Sequence, residues 1–270
     1  MGGSFANTIK ISIINKKIPM KKIMVTIVVL FAIASTNAQT YLKYEFMKVL
    51  PGQDYEKLEK SWENYHKEMQ KAGISNMHRI WKVLPGANVN YDYIVSTAYN
   101  NYADALGIGK SISVNDFKAK YPEDYIVMVN NTTKTRTMVR DVILKIELGL
   151  NDTTSKAVPG STILNLVFVK SKNDNYTKSE IKFSNKWHQS MIDMDRKDAF
   201  YLTTVMGSAG VDVDYSNTIS HLYKNIDQFT NVSKTSDVKF TPQDQTEYDA
   251  LKSYRDIKKS IMLINVSNIQ

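Results

Sequence analysis

Four histidines carry most of the ionisable chemistry that this sequence offers near neutral pH: His66, His78, His188 and His221. Two of them sit in matching surroundings. Residues 63–69 read ENYHKEM and residues 185–191 read NKWHQSM, so an aromatic residue, His, two polar residues and Met recur in order. A neutral imidazole in such a place can bind iron or shuttle a proton. On a helical wheel His66 and His188 each fall about 60° to the same side of an apolar stripe, at the edge of the buried face. The competing expectation is a half-buried, hydrogen-bonded histidine that merely finishes a helix. Tyr65 and Trp187, which precede the two histidines, are candidate ligand contacts with them.

A second aromatic pair, Tyr91 and Tyr215, opens the third strand expected in each half of the chain. Each could hydrogen-bond a ligand at a cavity mouth, or pack across a sheet with its hydroxyl in water. Metal-binding signatures are missing: there is no Cys cluster, no His-Glu-x-x-His and no acidic calcium loop. The run VDVDYSN at 211–217 alternates two Asp but lacks the Gly and terminal Glu of such a loop, and reads as a solvated turn. No Gly-rich phosphate loop and no Gly-x-Ser-x-Gly elbow occurs. The sequence reading therefore expects no metal site.

The elements that must position these residues come in two copies. Residues 86–101, GANVNYDYIVSTAYNN, align with residues 210–225, GVDVDYSNTISHLYKN. The offset is 122 at the histidines and 124 here, which asks for a two-residue insertion between the blocks. Apolar periodicity and turn residues predict strand 42–50, helix 54–71, strands 77–84 and 91–98, a short helix after Tyr99, a helix over 116–133 and strand 138–148. The second copy predicts strand 161–170, helix 175–192, strands 199–206 and 217–223, a helix opened by Thr241-Pro242, and strand 260–266. Each copy is strand–helix–strand–strand–helix–strand, the split βαβ order. The boundary falls in the polar stretch GLNDTTSKAVPG, residues 149–160, leaving unit one at 39–148 and unit two at 161–270.

A four-stranded sheet with helices on one face leaves its other apolar face open, and the second copy can cover it. The fold class is therefore α+β: two tandem ferredoxin-like units whose antiparallel sheets pack face to face as an intramolecular α/β barrel. With that element order, and with the strand exit Val49-Leu-Pro-Gly-Gln53, residues 41–267 resemble the dimeric α/β-barrel superfamily. The chain is distantly similar to antibiotic-biosynthesis-monooxygenase-like and NIPSNAP-like domains. The resemblance implies a ligand cavity between sheet and helices. It also points to Asn165, because cofactor-independent oxygenases of the superfamily use Asn, Trp and His around that cavity. Asn165 is matched here with Tyr44, which would confine such an activity to one half.

Bulk properties bound the rest. The chain has 270 residues, 43% hydrophobic and 23% charged, as a globular protein with a sizeable core would. Its formal charge of +8 is misleading, because residues 1–38 hold five lysines and no acid. The remainder carries 30 basic against 27 acidic side chains, a net of +3 with no basic stripe, so no nucleic-acid partner is expected. From Met20 a basic start, a short apolar run over 23–34 and small residues up to Ala38 have the layout of a secretory signal peptide. The run is shorter than the ~20 residues that span a bilayer. No membrane span is expected after cleavage, and Met1 and Met20 are both candidate starts.

With no Cys in the chain, disulfides, thiol catalysis and Cys-ligated metals are excluded. Export to a bacterial periplasm or the extracellular space follows as an expectation. The leading functional expectation is a small-ligand-binding or structural envelope module. The alternatives are a cofactor-independent monooxygenase or isomerase with a helix–sheet cavity, and a haem protein using His66 or His188 as axial ligand. A homodimer is possible.

Overall fold

The structure, a computed structural model, describes residues 39–151, 157–209, 213–232 and 241–269. Residues 20–38, expected to be a signal peptide, lie outside the described residues. The compact body runs from Gln39 onward.

Among the described residues eight strands and seven helices keep the expected order of strands, with one unexpected short helix at Ile226–Val232. The first repeat holds β1 (Tyr41–Val49), α1 (Tyr55–Lys71), β2 (Ser75–Val83), β3 (Tyr93–Tyr99), α2 (Tyr102–Leu106), α3 (Val114–Lys120), α4 (Pro122–Thr135) and β4 (Arg136–Asn151). The second holds β5 (Ile163–Ser171), α5 (Asn175–Asp193), β6 (Ala199–Ala209), β7 (Asn217–Tyr223), α6 (Ile226–Val232), α7 (Pro242–Ser253) and β8 (Arg255–Ile269). Local chemistry accounts for the helix starts. Asp54 caps α1 by accepting from the Lys57 amide at 3.0 Å. Thr241 and Asp244 form a reciprocal capping box on α7, with Pro242 in the first helical turn. The single helix expected over 116–133 is two, α3 and α4, because Pro122 has no N–H to continue α3 and instead opens α4.

The strands close into one barrel in the order β1-β3-β2-β8-β5-β7-β6-β4, all neighbours antiparallel. Each half keeps the ferredoxin-like order, and the halves join along both edges, β4 to β6 and β2 to β8. The two sheets thus face each other and also share hydrogen bonds. Strands β4 and β8 are longer than the sequence suggests, and β4 runs into the expected linker as far as Asn151. The extra residues lengthen the joins: Gly149–Asn151 pair with Ala199–Tyr201 at the end of a β4–β6 ladder that begins at Asp141. A closed barrel leaves no sheet edge exposed.

Strand alternation sorts the side chains into two layers. Leu42, Tyr44 and Phe46 of β1 point into the barrel with Leu144, Leu164, Leu166, Phe168 and Leu263. The other face meets the helices, where Tyr55 and Leu58 of α1 pack on Met47, Ile80, Tyr93 and Val95. Tyr176 and Phe183 of α5 pack on Val167, Phe200, Leu202 and Ile219 in the equivalent layer. Strand β3 is buried along its whole length, since both of its faces are covered. Among the described residues no helix is long and apolar enough to cross a membrane.

Candidate functional site

Glu59, Trp62 and His66 share one face of α1 at spacings of three and seven, which helical geometry brings together. They face the helix side of the sheet, toward His78 of β2, Thr97 of β3, and Lys43 and Glu45 of β1. Arg136, the first residue of β4, completes one wall. Together they line a cavity of about 280 Å³ between helix and sheet, with Tyr65, Met69, Ile74 and Tyr99 supplying apolar surface.

Within it the rings of His66 and His78 are stacked, centroids 3.4 Å apart and planes 16° from parallel. The Nδ1 of His78 lies 3.1 Å from Thr97 Oγ1. One donor atom from each of Glu59, His66 and His78 lies within 4.8 Å of the other two. Arg136 sits with Nε 3.8 Å from Glu59 Oε1, its guanidinium 5.7 Å from the Tyr55 ring and 5.8 Å from Trp62. Burial drives the imidazoles toward neutrality, and the Arg136 charge adds to it, so His66 is held down to about 3. Burial and the same neighbours hold His78 well below its usual range. Burial pushes the Glu59 carboxyl up, against the pull of Arg136.

Glu59 Oε1, Trp62 Nε1, His66 Nδ1, His78 Nε2 and Arg136 Nε are all sealed from solvent, and none has a hydrogen-bond partner. Buried polar atoms are normally paired, and each unpaired one costs about 1–3 kcal/mol. Here donors and acceptors without partners converge on one cavity.

The second repeat builds the same place differently. Glu180, His188, His221 and Arg255 line a cavity of about 290 Å³ with Phe183, Trp187 and Tyr248. Glu180 accepts from Ser184 Oγ at 3.0 Å and is paired with Arg255. His188 stacks on Phe200, centroids 4.1 Å apart. The buried Lys197 places Nζ 2.9 Å from Nδ1 of both His188 and His221. Burial draws Lys197 down to about 7, against the attraction of Glu180.

The strand registers set the correspondences. Thr97 and His221 are equivalent, as are His78 and Phe200, and Arg136 and Arg255. On the helices Tyr55–Glu59 matches Tyr176–Glu180 at an offset of 121. His66 is seven residues past its glutamate and His188 eight past its own, spacings that both return to one helix face. An alignment anchored on the histidines at 122 slides the glutamates out of register, so the sequence reading missed them. The signal was Tyr-x-x-x-Glu on each first helix with Arg opening each last strand.

The remaining candidates go elsewhere. Tyr65 and His66 belong to the first cavity, Trp187 and His188 to the second. Tyr91 and Tyr215 meet at one barrel mouth, in a cavity of about 540 Å³. There the Arg140 guanidinium lies 4.2 Å from the Phe46 ring and 5.8 and 5.7 Å from the two tyrosine rings. Asn165 accepts from Ser260 Oγ at 2.6 Å and lines none of these cavities. Its equivalent by register is Lys43, not Tyr44, because Tyr41 and Ile163 hold matching places opposite Tyr99 and Tyr223.

No family model matches the sequence, and no curated protein does. Solved structures do match in fold. A candidate monooxygenase from Lactobacillus acidophilus superposes with a TM-score of 0.54 at 13% identity, covering 86% of this chain and 96% of that one. A candidate monooxygenase from Fusobacterium nucleatum gives 0.55 at 12% identity, over 86% and 95%. An anthrone oxidase-like protein gives 0.51 at 10% identity, over 87% and 94%. This chain has the dimeric α/β-barrel fold, built from two ferredoxin-like units, with both halves of the barrel in one polypeptide.

Proposed function

We propose that the chain is an exported small-molecule-binding protein whose site is the helix–sheet cavity of the first repeat. The observation that carries this is the convergence there of sealed, unpartnered donors and acceptors from α1, β2 and β4. A fold does not keep such atoms together at a cost of several kcal/mol without a partner for them. The complementary molecule has a ring that packs on Trp62, Tyr65 and Tyr99, and a hydroxyl or carbonyl. That oxygen accepts from Trp62 and Arg136, and a hydroxyl donates to Glu59 or to a neutral imidazole. At about 280 Å³ the cavity sits at the small end of ligand pockets, so the molecule is about one ring in size.

Binding is favoured over proton-transfer catalysis because an imidazole held down to about 3 is a weak base at neutral pH. It is favoured over haem ligation because a cavity of about 280 Å³ takes about one ring rather than the four of a porphyrin. Export rests on the signal-peptide layout of residues 20–38 and on a compact body that begins at Gln39. N-terminal sequencing of the secreted chain should start at Gln39.

The binding test is saturation-transfer NMR with phenol, catechol and 4-hydroxybenzoate. Transfer to at least one of them is expected, with loss in His66→Phe and retention in His188→Phe. Transfer to none of the three, or equal loss in both variants, would overturn the reading.

A further inference from the structure

We propose that Glu59, His66 and His78 form a divalent transition-metal site in the first-repeat cavity, with coordination positions left open to the bound molecule. The inference rests on that cavity being the ligand site.

Its first support is the donor set: one carboxylate and two imidazoles, their atoms within 4.8 Å of one another, with no hydrogen bond on Glu59 Oε1, His66 Nδ1 or His78 Nε2 and only the Arg136 ion pair at 3.8 Å on the carboxylate. Two histidines and one carboxylate suit zinc, iron, cobalt or manganese rather than magnesium or calcium. Metal-binding imidazoles must be neutral, and burial keeps both of these neutral at physiological pH. Thr97 meets the far nitrogen of His78 at 3.1 Å, as an outer-shell group does when it fixes a metal-binding tautomer.

The second support is independent and comes from the other repeat. There two imidazole nitrogens also converge, and a basic group stands between them: the Lys197 amine, 2.9 Å from each. At the matching end of β2 no residue brings a charge, since Ile74 is apolar and Ser75 and Asn76 are neutral. One half therefore places a lysine amine between its imidazoles, and the other has no such group there, its arginine lying beside the carboxylate instead.

Coordination requires one adjustment. Rings 16° from parallel cannot both aim in-plane lone pairs at one ion, so one ring must turn. His78 is held by Thr97, whereas His66 Nδ1 is unpartnered, so His66 is the ring that turns, out of the stack and over the cavity. Arg136 beside Glu59 leaves an ion with excess positive charge, which an anionic co-ligand, hydroxide or a carboxylate, would offset.

The test uses the full chain, stripped with chelator and titrated with Co²⁺. Visible d–d absorption saturating at one equivalent and displaced by Zn²⁺ is expected. Glu59→Gln and His78→Gln should abolish it, and Thr97→Val should weaken binding about tenfold or more. His188→Gln should leave it unchanged. Circular dichroism verifies folding, and if His78→Gln fails to fold, Glu59→Gln and Thr97→Val decide. No band at one equivalent, or a band that survives Glu59→Gln, or one lost in His188→Gln, would overturn the site. Phenol binding by chelator-treated protein reports on the cavity separately, so a missing band with retained transfer sinks the metal and leaves the binding site standing.

Discussion

The two helix–sheet cavities descend from one plan and resolve its polar groups in opposite ways. In the second repeat Glu180 is bound by Arg255 and Ser184, and the imidazoles by Lys197. In the first, Glu59 stands 3.8 Å from Arg136, and the imidazoles face each other instead of a cation. A satisfied network specifies and stiffens a core, whereas an unsatisfied one is held open at a cost to stability. The comparison teaches that two copies of one arrangement can differ in whether their buried polar groups find partners within the chain.

The largest effect that could break this comparison is at the arginines. Arg255→Ala strands the buried Glu180 carboxylate and should cost about 3–5 kcal/mol in chemical denaturation. Arg136→Ala should cost less, about 1–2 kcal/mol, mostly through lost stacking on Tyr55 and Trp62. Equal costs would mean that the two pairs are not differently made.

Lys197 gives the next effect and a pH signature. Its folded-state value of about 7 lies below the ordinary 10.5, so the unfolded chain holds the proton more tightly between those limits. The stability of the native chain relative to Lys197→Met should therefore be flat below pH 7 and rise on going to pH 9, by on the order of a few kcal/mol. A difference that stays flat or falls over that range would place the lysine in water rather than between His188 and His221.

Smaller still is Thr97→Val, which removes the partner of His78 Nδ1 and should cost about 1 kcal/mol. The smallest effect is at the barrel mouth. The Tyr91 hydroxyl is buried without a partner, so Tyr91→Phe should fall within about 0.5 kcal/mol of neutral. A large loss there would show that the mouth, rather than the first cavity, holds the polar group that matters.

Most of the fold was legible because periodicity and turn chemistry report element order, and two matching blocks report a duplication. The barrel was legible too, but not the edge pairing of β4 to β6 and β2 to β8 that closes it, since periodicity reports which strands exist and not which edges meet. The site was legible only in part. His66 and His188 stood out through their neighbours, but His78 belongs to a strand, where single-sequence spacing says nothing about the helix above it. Glu59 and Glu180 were hidden by the one-residue difference in their distance to the histidines. Arg136 and Lys197 lie at element boundaries, one opening β4 and the other in the turn before β6, where sequence patterns are weakest.

The central claim is that His66 Nδ1 and His78 Nε2 lack partners, while Nδ1 of His188 and Nδ1 of His221 each meet the Lys197 amine. Long-range proton–nitrogen correlation NMR of the four histidines at pH 7 reads this directly. The account predicts that His66 Nδ1 and His78 Nε2 resonate as bare, unprotonated nitrogens and shift when catechol or Zn²⁺ is added. It predicts that Nδ1 of His188 and His221 resonates as a hydrogen-bonded acceptor and does not move. Bare nitrogens in the second repeat, or the same response in both repeats, would contradict it.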